Sequence, residues 1–176
     1  RMRLTGHVGN APMAASARLV DPRDGTVLTS ADLAIEESET RWSTICPDNL
    51  ELWSDRMPVL YEAHVALHAG GRLADRRAWR TGFRSFVRDG RQLLLNDEPV
   101  FLRGATEHGY YAETCTPPLD KASYRYAIQR LKAVGFNWLR FHTSVPSEPY
   151  LCAADELGMM IQVEPPAGFE TDEWLD

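Results

Sequence analysis

The sequence lacks the features that mark membrane-spanning and nucleic-acid-binding proteins. It has no uninterrupted apolar run near the roughly 20 residues that a membrane helix needs. Its 19 lysines and arginines are outnumbered by 25 aspartates and glutamates, for a net charge of −6. No basic stripe is present that would neutralise phosphates. The sequence therefore predicts a soluble protein with no membrane span and no nucleic-acid partner, and it leaves the compartment open (periplasmic, secreted or cytoplasmic).

Cysteines are also scarce, and several motifs of nucleotide and nucleophile chemistry are missing. Cys46, Cys115 and Cys152 are far apart and form no C-x-x-C pair, so we expect free thiols or packing residues rather than disulfides or a zinc site. The sequence contains no G-x-G-x-x-G, no Walker loop and no G-x-S-x-G elbow. We therefore predict no cofactor and no metal site.

The first half of the chain shows the alternation that is typical of β-strands. Two alternating runs flank Asp21-Pro22-Arg23-Asp24-Gly25, which predicts a hairpin. A further run from Tyr61 continues into another strand after a turn at Gly70-Gly71. Short strands separated by turn signals, without a convincing helix, indicate an antiparallel β-sandwich.

The pattern changes near residue 90 to alternating strands and helices. The predicted elements, in order, are a buried strand at 100–105, a helix from its N-cap Asp120 to Gly135, a strand at 137–143, a helix from Ser147 to Gly158 and a strand at 159–164. A long polar loop follows the first of these strands, and such loops are often functional. This order of elements predicts a parallel sheet with right-handed crossovers.

Two of the predicted parallel strands end in polar residues. Because strand side chains alternate in direction, Arg140 and His142 share one face of their strand, and Gln162 and Glu164 share one face of the next. In a doubly wound sheet that face would be covered by helices, where Arg140 would be costly. In a (β/α) barrel it is the interior, and polar residues at the strand ends line the active-site mouth.

The polar strand ends have two interpretations each. Arg140 and Glu164 form either a structural ion pair or part of a substrate-binding rim. Glu107 and His108, just beyond the first parallel strand, lie either at the same rim or in a solvated loop.

Four segments resemble family 2 glycoside hydrolases, the group of β-galactosidases, β-glucuronidases and β-mannosidases. They are "NLELWSDRMPVLYEAHVAL", "RTGFRSF", "LLLNDEPVFLRGATEHG" and "LKAVGFNWLRFHTSVPSEPYLCAADELGMMIQVE". The first two are similar to the family's immunoglobulin-like domain and the strand that leaves it. The last two are similar to the entry and to the second and third units of its catalytic barrel.

The resemblance implies a division of the chain into two domains. Residues 1–88 would form an immunoglobulin-like β-sandwich whose first strand is missing, and residues 89–176 would form the first three strands and two helices of a (β/α)8 barrel. Such a partial barrel has open sheet edges, so we expect either self-association through them or a poorly ordered C-terminal half.

The resemblance also implies which residues bind a carbohydrate substrate. Arg140 and Glu164 match the family's residues at the ends of the second and third barrel strands, and His108 matches its histidine near the first strand. Glu107 and His142 are the other expected substrate-binding residues. The family's two catalytic carboxylates are expected beyond Asp176, so no catalytic residue is assigned in this chain and the fragment alone is expected to be inactive.

The function that the sequence favours is therefore a fragment of a retaining β-glycosidase. The alternatives are a non-catalytic carbohydrate-binding or interaction module and the start of another (β/α)-barrel enzyme. For the binding module, Trp42, Trp53 and Trp79 are candidates for stacking on sugars. The competing interpretation of these tryptophans is packing in the sandwich core and between the domains.

Overall fold

The computed structural model describes residues 13–34, 50–112 and 114–165. The described residues divide into two compact units, one including residues 13–34, 50–51 and 60–83 and the other including 52–59, 84–112 and 114–165. Residues 52–59 thus precede part of the first unit in the sequence but pack within the second.

The first unit contains a four-stranded antiparallel sheet. Its strands are β1 (Met13–Val20), β2 (Val27–Ala34), β3 (Tyr61–Ala69) and β4 (Arg72–Thr81), in the spatial order β2-β1-β3-β4. β1 pairs with β2 across residues 21–25 and β3 pairs with β4 across Gly70-Gly71. Both hairpins predicted from the sequence are therefore confirmed.

Short-range hydrogen bonds explain the first hairpin turn. A carboxylate oxygen of Asp21 accepts from the backbone N–H of Arg23 at 2.9 Å, and one of Asp24 accepts from that of Thr26 at 2.8 Å. Gly25 adopts a φ of 78°, which a residue without a side chain tolerates best. Aspartate and glycine at these positions therefore fix the turn locally.

The second unit contains an antiparallel hairpin region followed by a parallel sheet. The hairpin strands are β5 (Phe86–Asp89), β6 (Gln92–Leu95) and β7 (Glu98–Pro99). They are followed by β8 (Gly104–Glu107), α1 (Lys121–Ala133), β9 (Trp138–Phe141), α2 (Glu148–Leu157) and β10 (Met160–Val163).

The strands β8, β9 and β10 are parallel and lie in the order β10-β9-β8. The predicted strand–helix alternation and parallel pairing are confirmed. Among the described residues β8 and β10 are the edges of this sheet, and self-association through them stays a prediction.

The helices cover the apolar face of the parallel sheet. Asp120 begins α1 by accepting from the backbone N–H of Ser123 at 2.8 Å, and Gly158 ends α2 in the left-handed conformation. The buried core of the unit combines residues of both helices, alternate residues of β9 and the residue before β10, namely Tyr124, Ile128, Leu139, Phe141, Tyr150, Ala153, Ala154 and Met159. Trp138 and Arg140 therefore lie on the opposite face of β9.

The predicted buried strand at 100–105 is wrong in its position. β8 begins only at Gly104, and the side chain of Phe101 is 74% exposed. The reason is that the side chain of Asn137 binds this segment. Its amide nitrogen donates to Phe101 O at 3.1 Å and its oxygen accepts from Arg103 N at 2.8 Å. These groups are thereby satisfied without a neighbouring strand.

Two further findings concern the described part of the chain. Neither α1 nor α2 is long and apolar enough to cross a membrane. Cys115 and Cys152 are free thiols, as expected, and Cys46 lies outside the described residues.

Candidate functional site

The centre of the candidate site is an ion pair between the ends of two adjacent strands. Gln162 of β10 lies in register with Arg140 of β9, and Glu164 follows two residues later on the same face. The Nε of Arg140 donates to Oε1 of Glu164 at 2.5 Å, and the two side chains remain 33% and 28% exposed. The strands therefore hold a charged pair that solvent and ligands can reach.

Hydrogen bonds keep the Glu164 carboxylate ionised. The bond from Arg140 is the main cause that lowers its pKa below the ordinary range, and a further bond from the backbone N–H of Thr143 acts in the same direction. That second bond, to Oε2, is 3.3 Å long. Both carboxylate oxygens thus have a donor, which fixes the orientation of the group at the sheet edge.

The backbone is strained where β9 ends. Thr143 has a φ of 48°, although a β-branched residue rarely adopts the left-handed region. Such strain costs on the order of 1–3 kcal/mol and is concentrated at functional sites. The strained residue is also the one whose backbone N–H donates to Glu164. The strained turn therefore helps to hold the carboxylate of the ion pair in place.

Two histidines and a tyrosine adjoin the ion pair. The imidazole centroids of His108 and His142 are 5.0 Å apart, and Tyr110 stacks on His108 with centroids 5.5 Å apart and ring planes within 8°. Tyr110 is 86% exposed. His108 and His142 therefore meet at the end of the parallel sheet, beside an aromatic surface open to solvent. Tyr110 was missed in the sequence, where a tyrosine in a polar loop gives no signal of this contact.

Glu107 contributes mainly to the shape of the loop. Its backbone carbonyl accepts from the N–H of His142 at 3.0 Å, which joins the ends of β8 and β9. Its carboxylate accepts from the N–H of Gly109 at 2.7 Å and so turns toward its own loop. Four of the five candidate residues thus contribute side chains to one cluster, while the side chain of Glu107 is engaged in positioning the loop.

Beneath the site lies a group of buried or half-buried tyrosines. The hydroxyl of Tyr124 donates to Pro118 O at 2.5 Å, which ties the loop after β8 to α1. Burial raises the pKa of Tyr111 to about 12 and raises the pKa of Tyr150 even further above its ordinary range. These phenols stay protonated. As neutral, hydrogen-bonded groups they support the loop that carries His108.

The site offers polar and aromatic contacts. Among residues 13–34, 50–112 and 114–165, no three histidine, cysteine, aspartate or glutamate side chains are grouped closely enough to hold a metal ion. A guanidinium, a carboxylate, two imidazoles and a phenol ring together suit a polyhydroxylated ligand, which binds through hydrogen bonds and ring stacking.

The tryptophans proposed as an alternative sugar-binding surface differ in exposure. Trp53 is buried, and its indole N–H donates to Asp155 O at 2.7 Å. Trp79 is half exposed on β4, and Trp42 lies outside the described residues. Of Trp53 and Trp79, the two candidates that the structure describes, only Trp79 is thus open to a ligand.

Curated relatives of the chain are bacterial glycosidases. It is 29% identical over 173 residues to a putative β-glucuronidase of Formosa agariphila, covering 96% of this chain and 21% of that protein. It is 31% identical over 168 residues to a β-galactosidase of Pectobacterium atrosepticum, covering 93% of this chain and 14% of that protein. No protein-family model matches the chain.

Solved structures show the same fold. A β-glucuronidase from Ruminococcus gnavus in complex with D-glucuronic acid superimposes with a TM-score of 0.75 at 24% identity, covering 88% of this chain and 25% of that one. A glycosyl hydrolase family 2 member from Bacteroides cellulosilyticus superimposes with a TM-score of 0.73 at 23% identity, covering 85% of this chain and 20% of that one.

The chain is related to the family 2 glycoside hydrolases. The resemblance found in the sequence is thereby confirmed. The chain spans about a quarter or less of the length of the curated relatives that it matches. It shares its fold with that part of their structures.

Proposed function

We propose that the chain is part of a retaining β-glycosidase and supplies one wall of its sugar-binding site. The proposal rests on the Arg140–Glu164 ion pair at the ends of adjacent parallel strands, with His108 and His142 beside it. Relatives named β-glucuronidase and β-galactosidase support this proposal.

The proposal includes a finer description of the fold. The four-stranded sheet of the first unit would belong to an immunoglobulin-like sandwich, and the β8–α1–β9–α2–β10 unit would open a (β/α)8 barrel. Active sites of such barrels lie at the carboxyl ends of the strands, which is where Arg140 and Glu164 stand. The domains would then be residues 1–88 and 89–176.

Each candidate residue has a proposed role in binding. Arg140 donates to hydroxyl or carboxylate oxygens of the sugar with the guanidinium donors other than the Nε that binds Glu164. Glu164 orients that guanidinium and accepts from a sugar hydroxyl. His108 and His142 form the neighbouring polar wall, and Glu107 holds the loop that carries His108.

The reaction itself needs two carboxyl groups about 5 Å apart, one as acid and base and the other as nucleophile. We assign neither role to a residue of this chain. The ion pair instead stabilises binding of the sugar in the orientation that the reaction requires.

Kinetics of the longest natural polypeptide that contains this chain test the proposal. Arg140→Met and Glu164→Gln should lower kcat/KM for 4-nitrophenyl β-glucuronide or β-galactoside by about 10²-fold or more, because each removes a charged contact in the site. Arg91→Met and Glu148→Gln, which alter exposed residues elsewhere in the unit, are the matched controls.

Two outcomes would overturn the proposal. One is the absence of β-glycoside hydrolysis by the unaltered polypeptide. The other is activity in the Arg140 and Glu164 variants equal to that of the controls. Proton NMR of the first-formed sugar anomer would separately establish whether configuration is retained.

A further inference from the structure

Residues 52–59 cross the starts of the parallel strands, at the end of the sheet opposite to the candidate site. We call these eight residues the strap. The indole N–H of Trp53 donates to Asp155 O at 2.7 Å, and the side-chain amide of Asn96 donates to Trp53 O at 2.9 Å. The strap therefore binds both α2 and the turn after β6, although it lies far from both in the sequence.

Asp55 makes the central contacts of the strap. Its carboxylate accepts from the side-chain amide of Asn137 at 3.0 Å, and its backbone carbonyl accepts from Nζ of Lys132 at 2.5 Å. A side chain at Gly158 would meet Asp55 O at 2.5 Å, so the strap packs directly on the turn before β10. This close approach requires glycine at position 158.

Asn137 connects the strap to all three parallel strands. Its side chain is buried and binds the backbone before β8 through Phe101 O and Arg103 N. Its own N–H donates to Arg103 O at 2.8 Å, and its carbonyl accepts from the N–H of Met160 at 2.9 Å. Asn137 thus binds the segment before β8 through its side chain and backbone, and the start of β10 through its backbone carbonyl.

The register set at the strand starts determines the placement of the candidate site. A shift by one residue would turn every side chain of a strand to the opposite face. In the observed register Trp138 pairs with Met160 and Arg140 with Gln162, which leaves Arg140 able to reach Glu164. Buried and fully bonded polar groups are well suited to select one register among alternatives.

We propose that Asp55 is a positioning residue that acts through Asn137 to fix the register of β8, β9 and β10 and thereby the placement of Arg140 against Glu164. The inference rests on the proposed function only in that it treats the end of the sheet carrying Arg140 and Glu164 as a binding site. The loss of one acceptor at the strap should therefore alter the ion pair at the other end of the sheet.

The experiment compares Asp55→Ala, Asp55→Asn and Arg56→Ala in the full chain. Asparagine keeps an oxygen that can accept from Asn137, whereas alanine leaves a buried amide donor unpaired. Arg56, the exposed neighbour in the strap, is the matched control. NMR reports the pKa of the Glu164 carboxyl, and hydrogen exchange reports the opening of the Trp138 and Met160 amides.

In Asp55→Ala, we expect the pKa of Glu164 to rise toward its ordinary value and the two amides to exchange about tenfold faster or more. Amides of Ala17 and Val65 in the first unit should keep their rates. Asp55→Asn and Arg56→Ala should resemble the unaltered chain. If Asp55→Ala does not fold, Asp55→Ser provides a milder loss with the same expected directions.

The inference is overturned if Asp55→Ala gives the same Glu164 pKa and exchange rates as Arg56→Ala. It is also overturned if the first unit loses protection to the same extent, since the effect would then be general unfolding. None of these measurements involves a sugar, so their failure is distinguishable from failure of the glycosidase proposal.

Discussion

Arg140 donates to Glu164 across two adjacent parallel strands, at 2.5 Å and within reach of solvent. A pair in this position neutralises two charges on the face of the sheet that the helices do not cover. It also leaves most of the guanidinium donors for other partners. The pair therefore serves both the stability of the strand ends and the proposed binding of a sugar.

The first prediction concerns the titration of Glu164. Arg140→Met should raise the pKa of this carboxyl toward the ordinary glutamate value of about 4.3, because the bond from Arg140 is the main cause of the lowered pKa. Since the pKa is lowered in the folded state, the pair stabilises the fold above that ordinary value and loses this effect as pH falls through the folded pKa. Carboxyl ¹³C NMR measures the change, and an unchanged pKa would contradict the account.

The second prediction concerns the close contact between β8 and β9. A side chain at Gly104 would lie 1.7 Å from the backbone oxygen of Trp138. Gly104→Ala should therefore lower the free energy of unfolding by about 1–3 kcal/mol or more, since the backbone must move to admit the methyl group. Ala105→Ser, at the exposed neighbouring position, is the control, and urea denaturation gives both values. Equal stability of the two variants would show that β8 is not held as described.

The third prediction concerns the contact between the two helices. Glu156 of α2 accepts from Lys121 at 2.6 Å and from Arg125, both on α1. Glu156→Gln should cost about 1–2 kcal/mol of unfolding free energy, because one carboxylate serves two cations and is itself largely shielded from solvent. Thermal unfolding of Glu156→Gln measures this loss of stability. Glu148→Gln, at the exposed start of α2, is the control. A cost no greater than that of the control would count against the pairing.

The fourth prediction concerns alkaline pH. Burial raises the pKa of Tyr111 to about 12 and also raises that of Tyr150. Because these pKa values are raised in the folded state, the stability they confer is complete below about pH 10 and is lost as pH rises through the folded values. Ultraviolet absorbance should show Tyr111 and Tyr150 ionising above the ordinary tyrosine pKa of about 10. Ionisation of both phenols at that ordinary value in a still-folded chain would exclude the buried arrangement.

The local patterns that predict strands and helices explain why much of the second unit was predictable. Alternation in β9 separates Leu139 and Phe141, which are buried, from Arg140 on the other face. Asp120 and Gly158 are local signals for the start of α1 and the end of α2, and both act as predicted. The Arg140–Glu164 pair followed from the same alternation applied to two neighbouring strands.

The features that the sequence did not predict depend on long-range contacts. The apolar residues at 100–102 have the composition of a buried strand, but Asn137 binds Phe101 O and Arg103 N from a position more than thirty residues away. The strap lies in a segment that resembles part of the immunoglobulin-like domain, yet it packs within the second unit. The contact between His108 and His142 depends on a loop conformation that residue types alone do not specify.

Footprinting of the histidines tests the central claim most directly. In the longest natural polypeptide that contains this chain, diethyl pyrocarbonate labels accessible imidazoles, and mass spectrometry locates the label. The bound sugar product of hydrolysis should protect His108 and His142, while His64 and His68 on β3 of the first unit serve as internal controls. Arg140→Met should abolish the protection. Labelling of His108 and His142 that is unaffected by the sugar, or protection confined to His64 and His68, would contradict the account.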